Sequence, residues 1–183
     1  MDFDPVIEEY GKRHTELDQR FRGMYLYQVS IIESYLDGTI AYWFFSTDVQ
    51  KREALVGYVI SDINFNQKIK LFFKILKNHY AELLKQFPKL SDDFEKVRNL
   101  RNTLAHSMLD TSLDYLKTKP KDIRFQFYKN GKMEYQIFSD ELIKNKIKEV
   151  SDLFHQLSRV LTLMSGNDNF LVKDAKNDTQ KTP

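Results

Sequence analysis

Along most of the chain apolar residues recur at three- and four-residue intervals, the period of a helix with one buried face. Asp4-Pro5 is a start signal, because Asp can cap free amides and Pro in the first turn gives up none. Ile7, Tyr10, His14, Leu17 and Phe21 then form one stripe, and Val29, Ile32, Leu36, Ile40 and Trp43 extend it to about Phe45. Gly23 falls between the two halves, as an interruption or a bend. Polar residues 46–52 break the pattern, and a short helix is expected over Asp48–Tyr58. A longer one runs from about Phe65 to Lys85, with Ile69, Phe72, Leu76 and Leu83 inward and Lys68, Lys70, Lys74 and Lys77 mostly outward; Pro88 ends it. Ser91 opens a fourth, with Asp92 and Asp93 in the dipole-favoured first turn and Phe94, Val97, Leu104 and Met108 on its apolar side.

After Pro120 the period shortens to two. Ile123, Phe125 and Phe127 alternate, Asn130-Gly131 follows, and Tyr135 and Ile137 alternate again, which is a strong hairpin signal. Ser139 then caps a last helix carrying Leu142, Ile143, Val150, Leu153, Leu157, Leu161 and Met164. The pattern predicts an all-α fold: an antiparallel bundle of four to five main helices with a small β-hairpin, about 123–138, inserted before the last helix. Residues 1–165 form this domain and 166–183 a polar tail. No internal repeat or low-complexity tract is present.

Composition removes several chemistries. In 183 residues there is no Cys, so disulfides, thiol nucleophiles and Cys-based metal or cluster sites are excluded. Four His at 14, 79, 106 and 155 include no pair at the i, i+4 spacing of a helical metal site, and no metal or cofactor is expected. Phosphate-loop, dinucleotide, zinc-protease and nucleophile-elbow motifs are absent. Basic and acidic side chains nearly balance, 28 against 26, so any site for a polyanion must be local. The longest apolar run, Ile40–Phe45, is far short of the ~20 residues a membrane span requires. The start, MDFDPVIEEY, is acidic where a signal peptide is basic and then apolar. A cytoplasmic protein with no membrane partner is the expectation.

The informative stretch is Lys96-Val97-Arg98-Asn99-Leu100-Arg101-Asn102-Thr103-Leu104-Ala105-His106-Ser107. Arg101-Asn102 followed by His106 resembles the Arg, polar residue, three residues, His signature of the HEPN superfamily (higher eukaryotes and prokaryotes nucleotide-binding). The wording RNLRNTLAHS late in a helical bundle, Phe65-Asn66-Gln67-Lys68-Ile69 ahead of a helix, and Glu33 within the second helix are also similar to bacterial members. The resemblance covers about residues 20–165. It implies a metal-independent endoribonuclease that leaves 2′,3′-cyclic phosphate ends on single-stranded RNA. It also implies a homodimer with paired motifs facing across a cleft, and a role as a toxin held by a nucleotidyltransferase-type antitoxin or as an antiphage defence effector working with another defence protein. A non-catalytic HEPN module that dimerises and binds RNA, nucleotide or a protein partner is the alternative. On the catalytic reading His106 exchanges a proton with the ribose 2′-hydroxyl or the leaving oxygen, as an imidazole can near neutral pH. Arg101 stabilises the developing phosphorane, and Asn102 orients His106 or holds phosphate.

A helical wheel adds a separate constraint. At ~100° per residue, Arg98, Asn102 and His106 share one ridge, where Arg98 can meet the RNA backbone. Arg101 falls instead with Phe94, Val97, Leu104 and Met108, on the apolar face, ~140° from His106. A lone Arg on an apolar stripe must be paired if buried. It therefore reaches a carboxylate, with Glu33 and Asp37 as candidates, or its stripe borders a cleft. Convergence with His106 then needs Arg's length, a loosened helix end or a second protomer.

A second signal is electrostatic. Residues 117–132 hold Lys117, Lys119, Lys121, Arg124, Lys129 and Lys132 against Asp122 alone, a net of +5. Interleaved with Phe125, Phe127 and Tyr128, these cations are what a single strand of RNA can lie on. Lys117, Lys119, Lys121, Lys129 and Tyr128 are the candidate contacts, since Phe125 and Phe127 share the inward face and Tyr128 alternates outward. His79 reads as a packing residue beside the Phe72/Leu76/Leu83 stripe, His14 and His155 as structural or surface, and Trp43 as core.

Overall fold

The computed structural model describes residues 4–118 and 120–166; Lys119 and most of the polar tail assigned to 166–183 lie outside them. The described chain is mostly helical, with a small three-stranded antiparallel sheet before the last helix. In order it comprises α1 (Pro5–Phe44), α2 (Val49–Tyr58), a short 3₁₀ turn (Ile60–Asp62), α3 (Phe65–His79), α4 (Ala81–Gln86), α5 (Leu90–His106), β1 (Met108–Leu109), α6 (Leu113–Leu116), β2 (Ile123–Lys129), β3 (Lys132–Phe138) and α7 (Asp140–Gly166). No helix among the described residues is long and apolar enough to cross a membrane. The chain divides into two compact units, residues 1–31 with 95–151 and residues 32–94 with 152–183.

In the first unit Asp4 caps α1 through its carboxylate on the Val6 amide (2.9 Å). Helix α1 runs through Gly23 without a break. A helical Gly costs only ~1 kcal/mol relative to Ala, and burial of Phe21 and Tyr25 on either side outweighs it. The core gathers Phe21, Tyr25, Val97, Leu104, Ile123, Phe125, Phe138 and Val150, and Phe138 lies 5.4 Å from Phe21 and 5.3 Å from Phe125, ring to ring. His14 is fully buried and donates from Nε2 to the Pro120 carbonyl (3.0 Å), so the histidine on the apolar stripe is structural. Ser139 caps α7 through the Leu142 amide (3.1 Å).

Two expectations are corrected in this unit. The fourth helix stops at His106, and Met108 belongs to a strand. The hairpin is accordingly three strands, because β1 adds to β2 with Met108 opposite Gln126 and Leu109 opposite Phe125. The β2–β3 turn is as expected: Asn130 and Gly131 both take positive φ, 52° and 75°, the conformation whose twist matches a tight hairpin.

In the second unit Asp48 caps α2, and Asn64 with Gln67 closes a reciprocal capping box on α3. Ile32, Leu36, Ile40, Phe72, Leu76, Leu90, Phe94, Leu153 and Leu157 form its core. The expected helix over Phe65–Lys85 is two helices, since the chain leaves helical geometry at Tyr80 (φ −137°, ψ 40°) before restarting at Ala81. Lys68, expected to face outward, is buried, with Nζ 2.9 Å from both Glu33 and Asp37. Charge alone argues for an outward Lys68; two carboxylates on one helical turn of α1 make the inward position tenable. His79 is exposed with its ring 4.9 Å from that of half-buried Trp43, so it flanks the apolar stripe and is not enclosed in it.

Candidate active site and nucleic-acid interface

The motif occupies the last turns of α5. Val97, Leu100 and Leu104 face the core, and Arg101 lies at the edge of that stripe, half-buried. The cost of entombing a guanidinium is thereby avoided. Arg101 donates from Nη1 to Asn102 Oδ1 (3.3 Å). Glu33 and Asp37, its candidate partners, close on Lys68. His106 is the final helical residue; it is exposed, and its imidazole makes no hydrogen bond among the described residues. Arg98 donates to Glu95 Oε1 (3.2 Å) and to Asn99 Oδ1 (3.1 Å), which leaves it half-buried on the same ridge. Arg101 and Asn102 are thus joined directly, whereas neither bonds to His106.

What ends α5 at this point is a side chain from another helix. Arg22 of α1 donates from Nη1 to the carbonyls of Leu104 and of Ser107, the latter at 3.1 Å. Its Nε meets Asp18 Oδ1 at 3.0 Å, and its guanidinium lies 4.9 Å from the Phe125 ring centroid. The last carbonyls of a helix have no partner of their own, and a cation there also suits the helix dipole. Arg22 therefore does the work of the Gly or Pro stop that RNTLAHS lacks, and it holds the turn that carries His106. Sequence reasoning passed over Arg22; its only local sign is the i, i+4 pairing with Asp18.

The basic segment is less uniform than its net charge suggests. Arg124 donates from Nε to buried Asp110 Oδ2 (2.7 Å) and is stacked against the rings of Tyr115 (3.9 Å) and Tyr135 (4.6 Å). Burial pushes the Asp110 carboxyl up, but hydrogen bonds from Ser112 and then Arg124 outweigh it and hold Asp110 below the usual carboxylate range. Lys129 stands 3.8 Å from Glu134, a loose exposed pair. Lys117, Lys121 and Lys132 are exposed, and Tyr128 is 71% exposed on the outer face. Lys119 is outside the described residues.

The outer face holds more than Tyr128. In the register of β2 on β3, Arg124 faces Ile137, Gln126 faces Tyr135 and Tyr128 faces Met133, and these pairs share the side opposite buried Ile123, Phe125 and Phe138. The signal for this was countable. A two-residue Asn-Gly turn pairs Lys129 with Lys132, and with Phe125 inward the alternation drives Tyr135 and Ile137 outward.

Among the described residues no group of three or more His, Asp or Glu side chains is placed to hold a metal ion. Comparison of the chain with protein-family models, with curated proteins and with solved structures gives no match.

Proposed function

We propose that the protein is a HEPN-type endoribonuclease, built as an antiparallel helical bundle and acting as a cytoplasmic homodimer on single-stranded RNA. The reading is supported chiefly by one observation: Arg101, Asn102 and His106 lie together on the last turns of α5, with the His106 imidazole exposed and without a hydrogen bond among the described residues. A histidine kept for packing would be enclosed and bonded, as His14 is. In the reaction His106 takes the proton of the ribose 2′-hydroxyl, and the 2′-oxygen bonds to phosphorus. The bond from phosphorus to the 5′-oxygen breaks, and that oxygen takes the proton from the His106 imidazolium, giving a 2′,3′-cyclic phosphate and a 5′-hydroxyl. Arg101 stabilises the charge that builds on the phosphoryl oxygens, and Asn102 holds the guanidinium in place. A second protomer supplies the facing motif across a two-fold axis. Such an activity suits a toxin restrained by a nucleotidyltransferase-type antitoxin, or a defence effector. The bond between Arg101 and Asn102, in place of one to His106, favours a second reading in which the module dimerises and binds RNA, nucleotide or a protein without cutting.

The test is incubation of wild-type protein with mixed single-stranded RNA, followed by end-group analysis. Cyclic phosphate ends are expected, in excess EDTA as well, and none when the cut-site ribose is 2′-deoxy. His106→Ala should lower the rate at least ~100-fold while leaving the circular dichroism spectrum unchanged. Cleavage that survives in His106→Ala at the wild-type rate refutes the enzyme reading. RNA bound without cleavage by wild type supports the second.

A further inference from the structure

His106 stands at a junction that the chain crosses in a single residue. Helix α5 ends on it, buried Ser107 follows, and Met108 is already a strand residue opposite Gln126. The Ser107 amide closes the last helical bond, to the Thr103 carbonyl (2.8 Å). Arg22 takes the carbonyls of Leu104 and Ser107, one before His106 and one after it. The backbone of His106 is thus tied on both sides, while its imidazole is exposed and without a hydrogen bond among the described residues. What remains to the imidazole is side-chain rotation.

Arg22 is itself held. Its Nε donates to Asp18 Oδ1 at 3.0 Å, the Phe125 ring centroid lies 4.9 Å from its guanidinium carbon, and the Arg22 and Asp18 side chains are 22% and 15% exposed. Asp18 precedes Arg22 by one turn of α1, the spacing at which helical side chains meet. A guanidinium directs its N–H groups along fixed lines, so it can serve two carbonyls and a carboxylate at once; an ammonium on a flexible stem cannot hold that geometry. With no Gly or Pro between Arg101 and Leu109, the helix end has no local stop of its own. Arg101 and Asn102, which bond to each other, take their places from α5 alone. His106 takes its place from α1 as well.

We propose that Arg22 is the positioning residue of His106: gripping the carbonyls on either side, it sets the direction of the imidazole relative to the Arg101–Asn102 pair, and Asp18 sets Arg22. The catalytic consequence rests on the ribonuclease reading above; the addition is that α1 aligns a motif carried wholly by α5. Arg22 meets no reacting atom and acts through His106. A site whose groups are aligned before substrate arrives loses rate, and not affinity, when the alignment is lost.

The experiment uses the full chain with ¹³C-labelled histidine, the imidazole NMR signal of His106 being identified by its loss in His106→Ala. Arg22→Lys keeps the charge but cannot span both carbonyls and Asp18. In this variant the His106 signal should shift or split, with those of His79 and His155 in the second unit unmoved. Its kcat on single-stranded RNA should fall about 10–100-fold, with KM within about twofold of wild type. Ile40→Val, a core change in the second unit, controls for lowered stability and should leave the His106 signal and kcat as they are. Asp18→Asn, whose amide oxygen still accepts from Nε, should keep most of the rate, whereas Asp18→Ala should lose it as Arg22→Lys does. An unmoved His106 signal in Arg22→Lys, or a fall in kcat no greater than in Ile40→Val, overturns the proposal and leaves Arg22 as a cap for stability. If Arg22→Lys does not fold, Asp18→Ala against Asp18→Asn decides by the same two readouts. The two readings fail separately. A wild-type chain that never cuts, with the His106 signal still displaced in Arg22→Lys, removes the ribonuclease and keeps the positioning. Cleavage lost in His106→Ala but kept in Arg22→Lys removes the positioning and keeps the ribonuclease.

Discussion

Replacing Lys68 by Met tests the charge cluster at the heart of the second unit. The Lys68 side chain is 4% exposed, with Nζ 2.9 Å from Glu33 and 2.9 Å from Asp37, whose side chains are 28% and 18% exposed. Removing one partner of a fully buried pair costs about 3–5 kcal/mol, mostly from the charge left behind. Glu33 and Asp37 keep some contact with water, which reduces this to about 2–3 kcal/mol. In a chain of this size that is a fall of about 5–10 °C in Tm.

The dependence on pH distinguishes this account from lost packing. Burial alone would make Lys68 easier to deprotonate, but hydrogen bonds from Nζ to Asp37 and Glu33, with their charges, outweigh it and raise its pKa. Its contribution is therefore complete below the ordinary lysine value of about 10.4 and is lost as the pH rises through the higher folded value. Asp37 responds in the other sense. Burial pushes its carboxyl up, Lys68 only partly offsets this, and the charge of Glu33 adds to the rise. The two partners thus differ in sign, and at neutral pH the Lys68 direction governs, because one ammonium is shared by two carboxylates. Without Lys68 the offset disappears, so the folded chain takes up a proton at Asp37 more readily than the unfolded chain. The deficit of Lys68→Met should shrink as the pH falls from neutrality towards the carboxylate range, because the raised Asp37 carboxyl is protonated earlier in the folded chain than in the unfolded one. Urea unfolding followed by far-UV circular dichroism at several pH values measures both effects. Adding Glu33→Gln and Asp37→Asn should recover most of the loss. A deficit below about 0.5 kcal/mol, the range of ordinary surface changes, or one that grows on acidification, refutes the reasoning.

Arg22→Met keeps the apolar stem and deletes the bonds to the Leu104 and Ser107 carbonyls; a loss of about 1–3 kcal/mol and faster hydrogen exchange at the final amides of α5 are expected. Unaltered protection there would show that Arg22 does not hold the helix end. Asp110, held below the usual carboxylate range by Ser112 and Arg124 against the effect of burial, contributes stability above its unfolded pKa that is lost as the pH falls through its folded one. Asp110→Asn should flatten the acid limb of stability against pH, and equal acid slopes for variant and wild type would count against this linkage.

Much of the local order was legible because its causes are local. Asp4, Asp48, Ser139 and the Asn130-Gly131 turn each act within three residues of themselves, and each does so in the structure. The misses have distant causes. Nothing between Phe65 and Lys85 is a Pro or Gly, so the break at Tyr80 leaves no mark in the pattern. The candidate site was legible as Arg101, Asn102 and His106 on one helix, and the direction of Arg101 towards the apolar stripe followed from the wheel. That Arg101 bonds to Asn102, and that Glu33 and Asp37 are occupied by Lys68, required three-dimensional packing to decide between carboxylates and cations that composition treats as equals.

The sequence by itself determined the helical character, the caps, the tight turn and, through the parity of that turn, which faces of β2 and β3 oppose each other. Those features depend on backbone preference and side-chain period, which a few consecutive residues express. Tertiary structure alone decided that β1 joins the sheet, that Arg22 closes α5 from 82 residues before Leu104, and that Lys68 turns inward. Each of these satisfies a buried hydrogen-bonding group or charge with a partner far away in the chain. The need for such a partner is general, but its identity is set only when packing brings the two together.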